Sequence, residues 1–278
     1  KKENKKIIIE DEKYIFDYNI YYDEINVSKS ITQILNNTKL DYSKKKIPNA
    51  IQEVMDANNI QYSPKQIEAI ENALLEPISI VTGGPGTGKS TVIRGIIEAY
   101  ASMFNKKDLI KNEIFLLAPT GRASKRLKEV TNHYNASTIH KFLGYQGNGR
   151  FNALQEGEIK AKLIIIDEAS MIPIAQIVYA IYKFADAKVV IAGDPFQISP
   201  IVREDAWVDE NIYTMVNLNS FTNPSTEPHK FKIINLDTQY RSLPAIGTLF
   251  SEYTYNGMLK HHRHGEKPCD LVLDGMDI

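Results

Sequence analysis

Eight residues, Gly83-Gly84-Pro85-Gly86-Thr87-Gly88-Lys89-Ser90, restrict this chain more than any other stretch of it. They match the pattern G-x-x-x-x-G-K-[ST], with the apolar run Ile78–Val81 before them and a helix-forming segment, Thr91–Phe104, after them. A loop of this kind turns backbone N–H groups inward around phosphates, and its glycines permit the turn without Cβ clashes. The helix that opens at Lys89 adds the positive end of its dipole. The spacing predicts a strand–loop–helix unit holding a nucleoside triphosphate, ATP with Mg2+. Gly83 through Thr91 are the candidate nucleotide-binding residues, with Lys89 reaching the β- and γ-phosphates and the Ser90 hydroxyl on the metal.

Around this loop the chain alternates short apolar runs with amphipathic segments. The runs are Ile78–Val81, Ile114–Ala118, Leu163–Ile166 and Val189–Ala192. Near-continuous Ile, Val and Leu runs fit strands buried on both faces, which predicts an α/β fold with a parallel sheet covered by helices. Thr91–Phe104 and Pro173–Phe184 are long enough to be crossover helices. Ser63-Pro64-Lys65-Gln66 opens another helix, with Ser63 as cap, Pro64 at the first position and Gln66 placed to close a capping box. Before it, strand-like stretches around Lys13–Tyr22 give way to helical spacing at Val27, Ile31 and Ile34.

Two further sites follow strand-like runs, at the ends where open parallel sheets bind ligands. Leu163–Ile166 leads into Asp167-Glu168. Phosphoryl transfer needs one acid to hold a metal and a second group to orient the attacking water. Asp167 is the candidate for the metal and Glu168 for the water. Val189–Ala192 leads into Gly193-Asp194-Pro195-Phe196-Gln197-Ile198-Ser199-Pro200, in which Gln197 is a candidate sensor of the γ-phosphate. A plain surface turn is the other reading, since Gly, Asp and Pro favour turns.

The chain of 278 residues carries a net charge of -1, so any polyanion-binding surface must be a local patch. Arg122, Lys125, Arg126 and Lys128 form one such concentration, opposed only by Glu129; backbone-phosphate donors and a solvated basic helix face are both open readings. The run Lys44-Lys45-Lys46 likewise reads as a solvated connection or a nucleic-acid contact. The single cysteine, Cys269, excludes an intrachain disulfide and suggests a reducing compartment. No apolar run approaches the roughly 20 residues that span a bilayer, so a cytoplasmic protein with no membrane partner is the expectation. His261, His262 and His264 with Cys269 have poor spacing for a zinc site and read as exposed polar residues.

In chain order the motifs are Gln66 within Ser63–Ile70, the phosphate loop, Ala118-Pro119-Thr120-Gly121-Arg122-Ala123, Ser137 to Tyr145, Asp167-Glu168-Ala169-Ser170-Met171 and Gly193–Pro200. In this order they resemble a superfamily 1 helicase of the 1B class. The likeness is greatest to the RecD-like branch, DNA helicases related to the exodeoxyribonuclease V alpha subunit. It covers Tyr62 to Pro200, about half the chain, and more weakly residues 13–36.

The resemblance implies a RecA-like P-loop NTPase domain over 61–230, preceded by an N-terminal strand and helix segment over 1–60. Residues 231–278 would be the truncated beginning of a second RecA-like domain. It further implies ATP-driven 5′-to-3′ movement on single-stranded DNA, with RNA open, by a monomer. A nucleic-acid-stimulated ATPase that remodels nucleoprotein without separating strands is the alternative. By the same likeness Gln66 reads adenine, beside its reading as a cap residue. Pro119, Thr120, Arg122, Thr138 and His140 touch the nucleic-acid backbone, although Thr138 also reads as a helix cap and His140 as a structural histidine.

Leu236-Asp237-Thr238-Gln239-Tyr240-Arg241-Ser242 resembles the family's motif IV. Tyr240 would then stack on the base and Arg241 serve as an arginine finger. From Gln239 to Leu259 the likeness shifts toward the helicases of nonsense-mediated decay and Dna2. Nothing after Arg241 matches the two remaining family motifs, so weak hydrolysis and no processive unwinding are expected of these 278 residues alone.

Overall fold

The computed structural model describes residues 7–10, 14–17, 25, 29, 32, 34–36, 44–104, 112–132, 135–147, 150–151, 161–173, 187–200, 212–215 and 232–262. The strands, in chain order, are β1 (Ile7–Glu10), β2 (Tyr14–Asp17), β3 (Ile78–Gly83), β4 (Ile114–Ala118), β5 (Ala136–Thr138), β6 (Tyr145–Gly147), β7 (Arg150–Phe151), β8 (Leu163–Ile166), β9 (Lys188–Gly193), β10 (Lys232–Leu236), β11 (Thr238–Gln239) and β12 (Lys260–His261). The α-helices are α1 (Ile47–Asn58), α2 (Pro64–Leu75), α3 (Lys89–Phe104), α4 (Gly121–Val130), α5 (Ile139–Phe142), α6 (Ile212–Met215) and α7 (Pro244–Tyr255).

Six strands form one sheet in the order β10-β3-β9-β8-β4-β5. Every pairing in it is parallel. All four apolar runs of the sequence are strands of this sheet, and the reason is two-sided burial. Leu163 and Ile165 face one core cluster with helices α1 to α3, while Ile164 and Ile166 face a second cluster with Ile139, Phe142 and Tyr213. Neither face meets water, so neither needs polar residues, and the run is continuous rather than alternating.

Helix α2 begins as its sequence requires. The Ser63 hydroxyl accepts from Gln66 N at 3.3 Å and the Gln66 side-chain oxygen accepts from Ser63 N at 3.0 Å, closing both arms of the capping box. At its other end the buried Lys188 ammonium donates to the carbonyls of Leu75 (2.8 Å) and Glu76 (3.3 Å). A cation there answers the negative end of the helix dipole and satisfies carbonyls that the helix leaves over.

Strand β10 pairs in register with β3, Leu236 opposite Gly83. The sheet thus runs past residue 230, where the sequence reading ended the first domain: β10 belongs to the same sheet as the phosphate loop rather than to a separate one. Of the N-terminal expectations, β2 lies in the strand-like stretch and Ile34 is buried in the second cluster. Val27 and Ile31 lie outside the described residues, as does nearly all of the crossover expected over Pro173–Phe184. No described helix is long and apolar enough to cross a membrane.

Candidate functional site

Parallel pairing brings the carboxyl ends of all six strands to one edge, and the predicted motifs follow those ends. The phosphate loop leaves β3, Pro119 and Thr120 leave β4, Asp167-Glu168 leave β8, Asp194 leaves β9, and the Tyr240-Arg241 turn follows β10. A cavity of about 720 Å³ opens between them, lined by Gln66, Pro85 to Thr91, Asp167, Glu168, Gln197, Tyr240 and Arg241, with Thr120, Arg122 and Arg126 from the start of α4.

The loop itself depends on backbone torsions open mainly to glycine. Gly86 and Gly88 have φ of +75° and +87°. Both are also pressed by neighbours: a Cβ on Gly88 would collide with the Gln66 side-chain amide, and one on Gly86 would lie 2.7 Å from Arg241 Cβ. Thr87 Oγ1 donates to Gly84 O at 2.9 Å and fixes the turn. The Lys89 ammonium donates to the carbonyls of Gly83 (2.6 Å) and Gly84 (3.1 Å). Burial lowers the pKa of Lys89, and the charges of Asp194, Asp167 and Glu168 oppose that. Beyond the cap, the Gln66 side-chain amide donates to Thr87 O at 3.3 Å and so ties the start of α2 to the phosphate loop.

Asp167 follows β8 directly and donates its backbone N–H to Leu117 O at 2.8 Å. Its carboxylate accepts from Glu168 N at 2.9 Å. Burial, foremost, and the adjacent Glu168 charge push the Asp167 pKa up to about 6, against the cationic pull of Lys89 and Arg126. Glu168 stands at φ +53°, a left-handed conformation that is uncommon outside glycine and often marks functional sites. Its Oε2 is buried with no hydrogen-bond partner among the described residues. A carboxylate oxygen so placed in a polar cavity is suited to accept from a water.

No group of three or more His, Cys, Asp or Glu that would hold a metal ion by itself is found among the described residues. Magnesium bound to a triphosphate does not need one, since it keeps waters and takes phosphate oxygens with one or two protein ligands. Ser90 and Asp167 line the same cavity and supply hard oxygen donors, so the residues present fit that ion.

Gln197 borders the cavity and is tied to Asp194. Its backbone N–H donates to Asp194 O at 3.1 Å and its amide to Asp194 Oδ2 at 3.3 Å. The Arg241 turn is docked on the phosphate loop by Tyr240 N, which donates to Gly86 O at 2.9 Å. Gln239, buried, holds the turn's shape: its oxygen accepts from Arg241 N (3.0 Å) and Ser242 N (2.7 Å), and its amide donates to Ser242 O (2.8 Å). The same amide lies 3.0 Å from His261 Nδ1. His261 is thus half-buried and engaged, not the exposed polar residue the sequence suggested. His262 lies ring to ring with Tyr240 at 4.8 Å. His264 and Cys269 lie outside the described residues.

The nucleic-acid candidates occupy the adjoining strand ends. Ala118 and Thr138 are partners across β4 and β5. Thr120 and Thr138 both cap helices, accepting from Ala123 N and Lys141 N at 3.2 Å each. Pro119 is half-buried between β4 and that cap. His140 packs edge-on against Tyr145 with centroids 5.0 Å apart. Arg122 is exposed and borders the nucleotide cavity itself. Sequence reasoning missed Gln239, Asp194 and Tyr255 as parts of this site, and did not bring Arg126 to its edge. The polar residues Asp194 and Gln239, each inside a recognised motif, were the available signal.

The sequence comparisons agree with the motif order. A family model described as an AAA domain matches residues 66–203. The ATP-dependent RecD2 DNA helicase of Deinococcus radiodurans is 35% identical over 50% of this chain and 18% of its own length. The RecBCD enzyme subunit RecD of Buchnera aphidicola (from Acyrthosiphon pisum) is 29% identical over 68% of this chain and 33% of its own. The chain therefore spans a third or less of these two relatives. Among solved structures, one described as two coordinating Pif1 helicases at forked double-stranded DNA aligns at 19% identity with a TM-score of 0.45, over 69% of this chain and 48% of that one. That structural likeness is loose, and the assignment rests on sequence: the chain is a RecD-like relative of the superfamily 1 helicases.

Proposed function

We propose that this chain binds ATP with Mg2+ at the loop Gly83–Ser90, hydrolyses it, and couples the cycle to 5′-to-3′ movement along single-stranded DNA as part of a helicase. One observation carries the reading: Lys89, Asp167, Glu168 and Arg241 line a single cavity beside a glycine-built phosphate loop, although they come from three well-separated parts of the chain.

The chemistry follows from the residues. Backbone N–H groups of the loop and the Lys89 ammonium hold the phosphates, once Lys89 exchanges the Gly83 and Gly84 carbonyls for phosphate oxygens. The Ser90 hydroxyl and the Asp167 carboxylate would hold Mg2+, which would neutralise charge on the triphosphate. The unpartnered Oε2 of Glu168 orients the attacking water and takes its proton. Arg241, already packed against Gly86, stabilises charge that develops on the γ-phosphoryl group. Gln197 reports that group to Asp194, Gln66 reads the adenine, and Tyr240 stacks on it.

For the nucleic-acid strand, the supporting geometry is the row of strand ends next to the cavity. Pro119, Thr120, Thr138 and His140 form the contact surface. Arg122 and Thr120 lie where that surface meets the nucleotide, so they are the residues through which phosphate state reaches the strand.

ATP turnover measured with and without single-stranded DNA and RNA, beside strand release from a duplex with a 5′ overhang, tests this. Turnover stimulated by DNA, together with strand release, supports it. Stimulated turnover without strand release would favour a remodelling ATPase. No nucleotide binding at all would end the reading.

A further inference from the structure

Asp194 presents a problem of charge that the site as described does not resolve. Its side chain is fully buried at 0% exposure, and an ionised carboxylate there needs donors or a cation. The cation at hand is Lys89, on which Asp194 exerts the strongest pull of any acid. Yet the Lys89 ammonium is spent on the Gly83 and Gly84 carbonyls.

Three neutral donors serve Asp194 instead. Phe196 N donates to Oδ1 at 3.1 Å, the Gln197 amide to Oδ2 at 3.3 Å, and the Tyr255 hydroxyl to Oδ2 at 2.6 Å. The last is the shortest, as expected for a hydroxyl on a carboxylate. Tyr255 ends α7, 61 residues away in sequence. Its ring also occupies the space beside Gly84, where a Cβ would meet the ring at 3.1 Å. One side chain thus touches the phosphate loop with its ring and the carboxylate behind Lys89 with its tip.

We propose that Tyr255 is a positioning residue of the nucleotide site, whose hydroxyl satisfies Asp194 and so keeps that carboxylate from capturing the Lys89 ammonium. Without the hydroxyl, Oδ2 keeps the longer bond from Gln197, an amide that the γ-phosphate also claims. Lys89 then becomes the best remaining donor, and an ammonium bound to Asp194 is withdrawn from phosphate. This rests on the nucleotide-site reading for its function, but its first half concerns Lys89 and Asp194 alone.

The test uses the full chain and three variants: Tyr255→Phe, Asp194→Asn and the double variant. In nucleotide-free protein, the acetylation rate of Lys89 is followed by mass spectrometry. The rate is expected to fall several-fold in Tyr255→Phe, and to be the same in Asp194→Asn and the double variant. A fluorescent adenine nucleotide with Mg2+ is then titrated into each. Tyr255→Phe is expected to bind about tenfold more weakly than wild type, the scale of one hydrogen bond to a charged group. In the Asp194→Asn background the same change is expected to do nothing.

A Tyr255→Phe chain that binds nucleotide and acetylates as wild type does overturns the proposal. So does an equal loss in both backgrounds, which would make Tyr255 packing only. Should Tyr255→Phe fail to fold, Asp194→Asn alone still decides: with Asp194 already satisfied in the wild type, Lys89 is expected to acetylate at the wild-type rate. A several-fold faster rate, which would mean that the carboxylate holds Lys89 despite the hydroxyl, overturns the proposal. Wild-type chain that binds no nucleotide sinks the site reading instead and leaves the acetylation result to judge Asp194.

Discussion

The two sides of the nucleotide cavity are built by opposite means. On one side, β3, the loop and α3 form a continuous segment whose shape is written in local torsions, with glycine at the left-handed positions and a helix start at Lys89. On the other side, the turn at Tyr240 and Arg241 has little regular structure of its own. It is held by the buried Gln239, by a backbone bond from Tyr240 to Gly86, and by His261, whose Nδ1 lies 3.0 Å from the Gln239 amide. The first side is a cradle whose shape its own local sequence sets. The second is a tertiary clamp, and it should fail in a different way: loss of rate with affinity kept.

The largest effect should test the chemistry between the two. Glu168→Gln is expected to slow hydrolysis by roughly 10³-fold while nucleotide still binds, the scale of general base catalysis. Unchanged turnover would remove Glu168 from its role. On the cradle side, Lys89→Ala is expected to weaken Mg–nucleotide binding by roughly 100-fold in a fluorescence titration, as for loss of one preorganised charged donor. On the clamp side, Gln239→Ala releases Arg241 N and Ser242 N from their shared acceptor. Misplacing a catalytic group by an ångström costs up to about 100-fold, so a roughly tenfold loss of turnover with affinity within about twofold is expected. If Gln239→Ala lost affinity as Lys89→Ala does, the contrast between the sides would be void.

The smallest effect concerns Asp167 and pH. Unfolded, this carboxyl releases its proton near the ordinary 3.8; folded, it holds it up to about 6. Stability contributed by Asp167 is therefore lost as pH rises through that interval, and above it the buried charge opposes folding in full. In buffer free of metal and nucleotide, Asp167→Asn is expected to melt a few degrees above wild type at pH 8. The gap should close toward pH 4. A gap that widened toward acid would reverse the sign and exclude a raised pKa.

The same contrast explains what could be read from the sequence. The phosphate loop, the capping box at Ser63 and the four buried strands were legible because each is fixed by residues within a few positions of one another. The second side was legible only as far as its motif. Tyr255 reads as one more aromatic on a helix, and nothing in local spacing says that it meets a carboxylate 61 residues upstream. Nor does Lys232–Leu236 announce that it pairs with β3, since pairing partners are chosen by the sheet and not by the strand. The boundary at 230 fell short of β10 for that reason. Asp194 was passed over because a Gly-Asp-Pro turn has a sufficient local explanation.

Strand β10 sets a last constraint. Arg241 lies five residues beyond Leu236, the final residue paired with β3, at Gly83. A fully extended chain of that length reaches about 17 Å. The guanidinium therefore hangs from a short tether anchored next to the phosphates, and any excursion it makes during a catalytic cycle is capped by that tether unless the edge strand peels away.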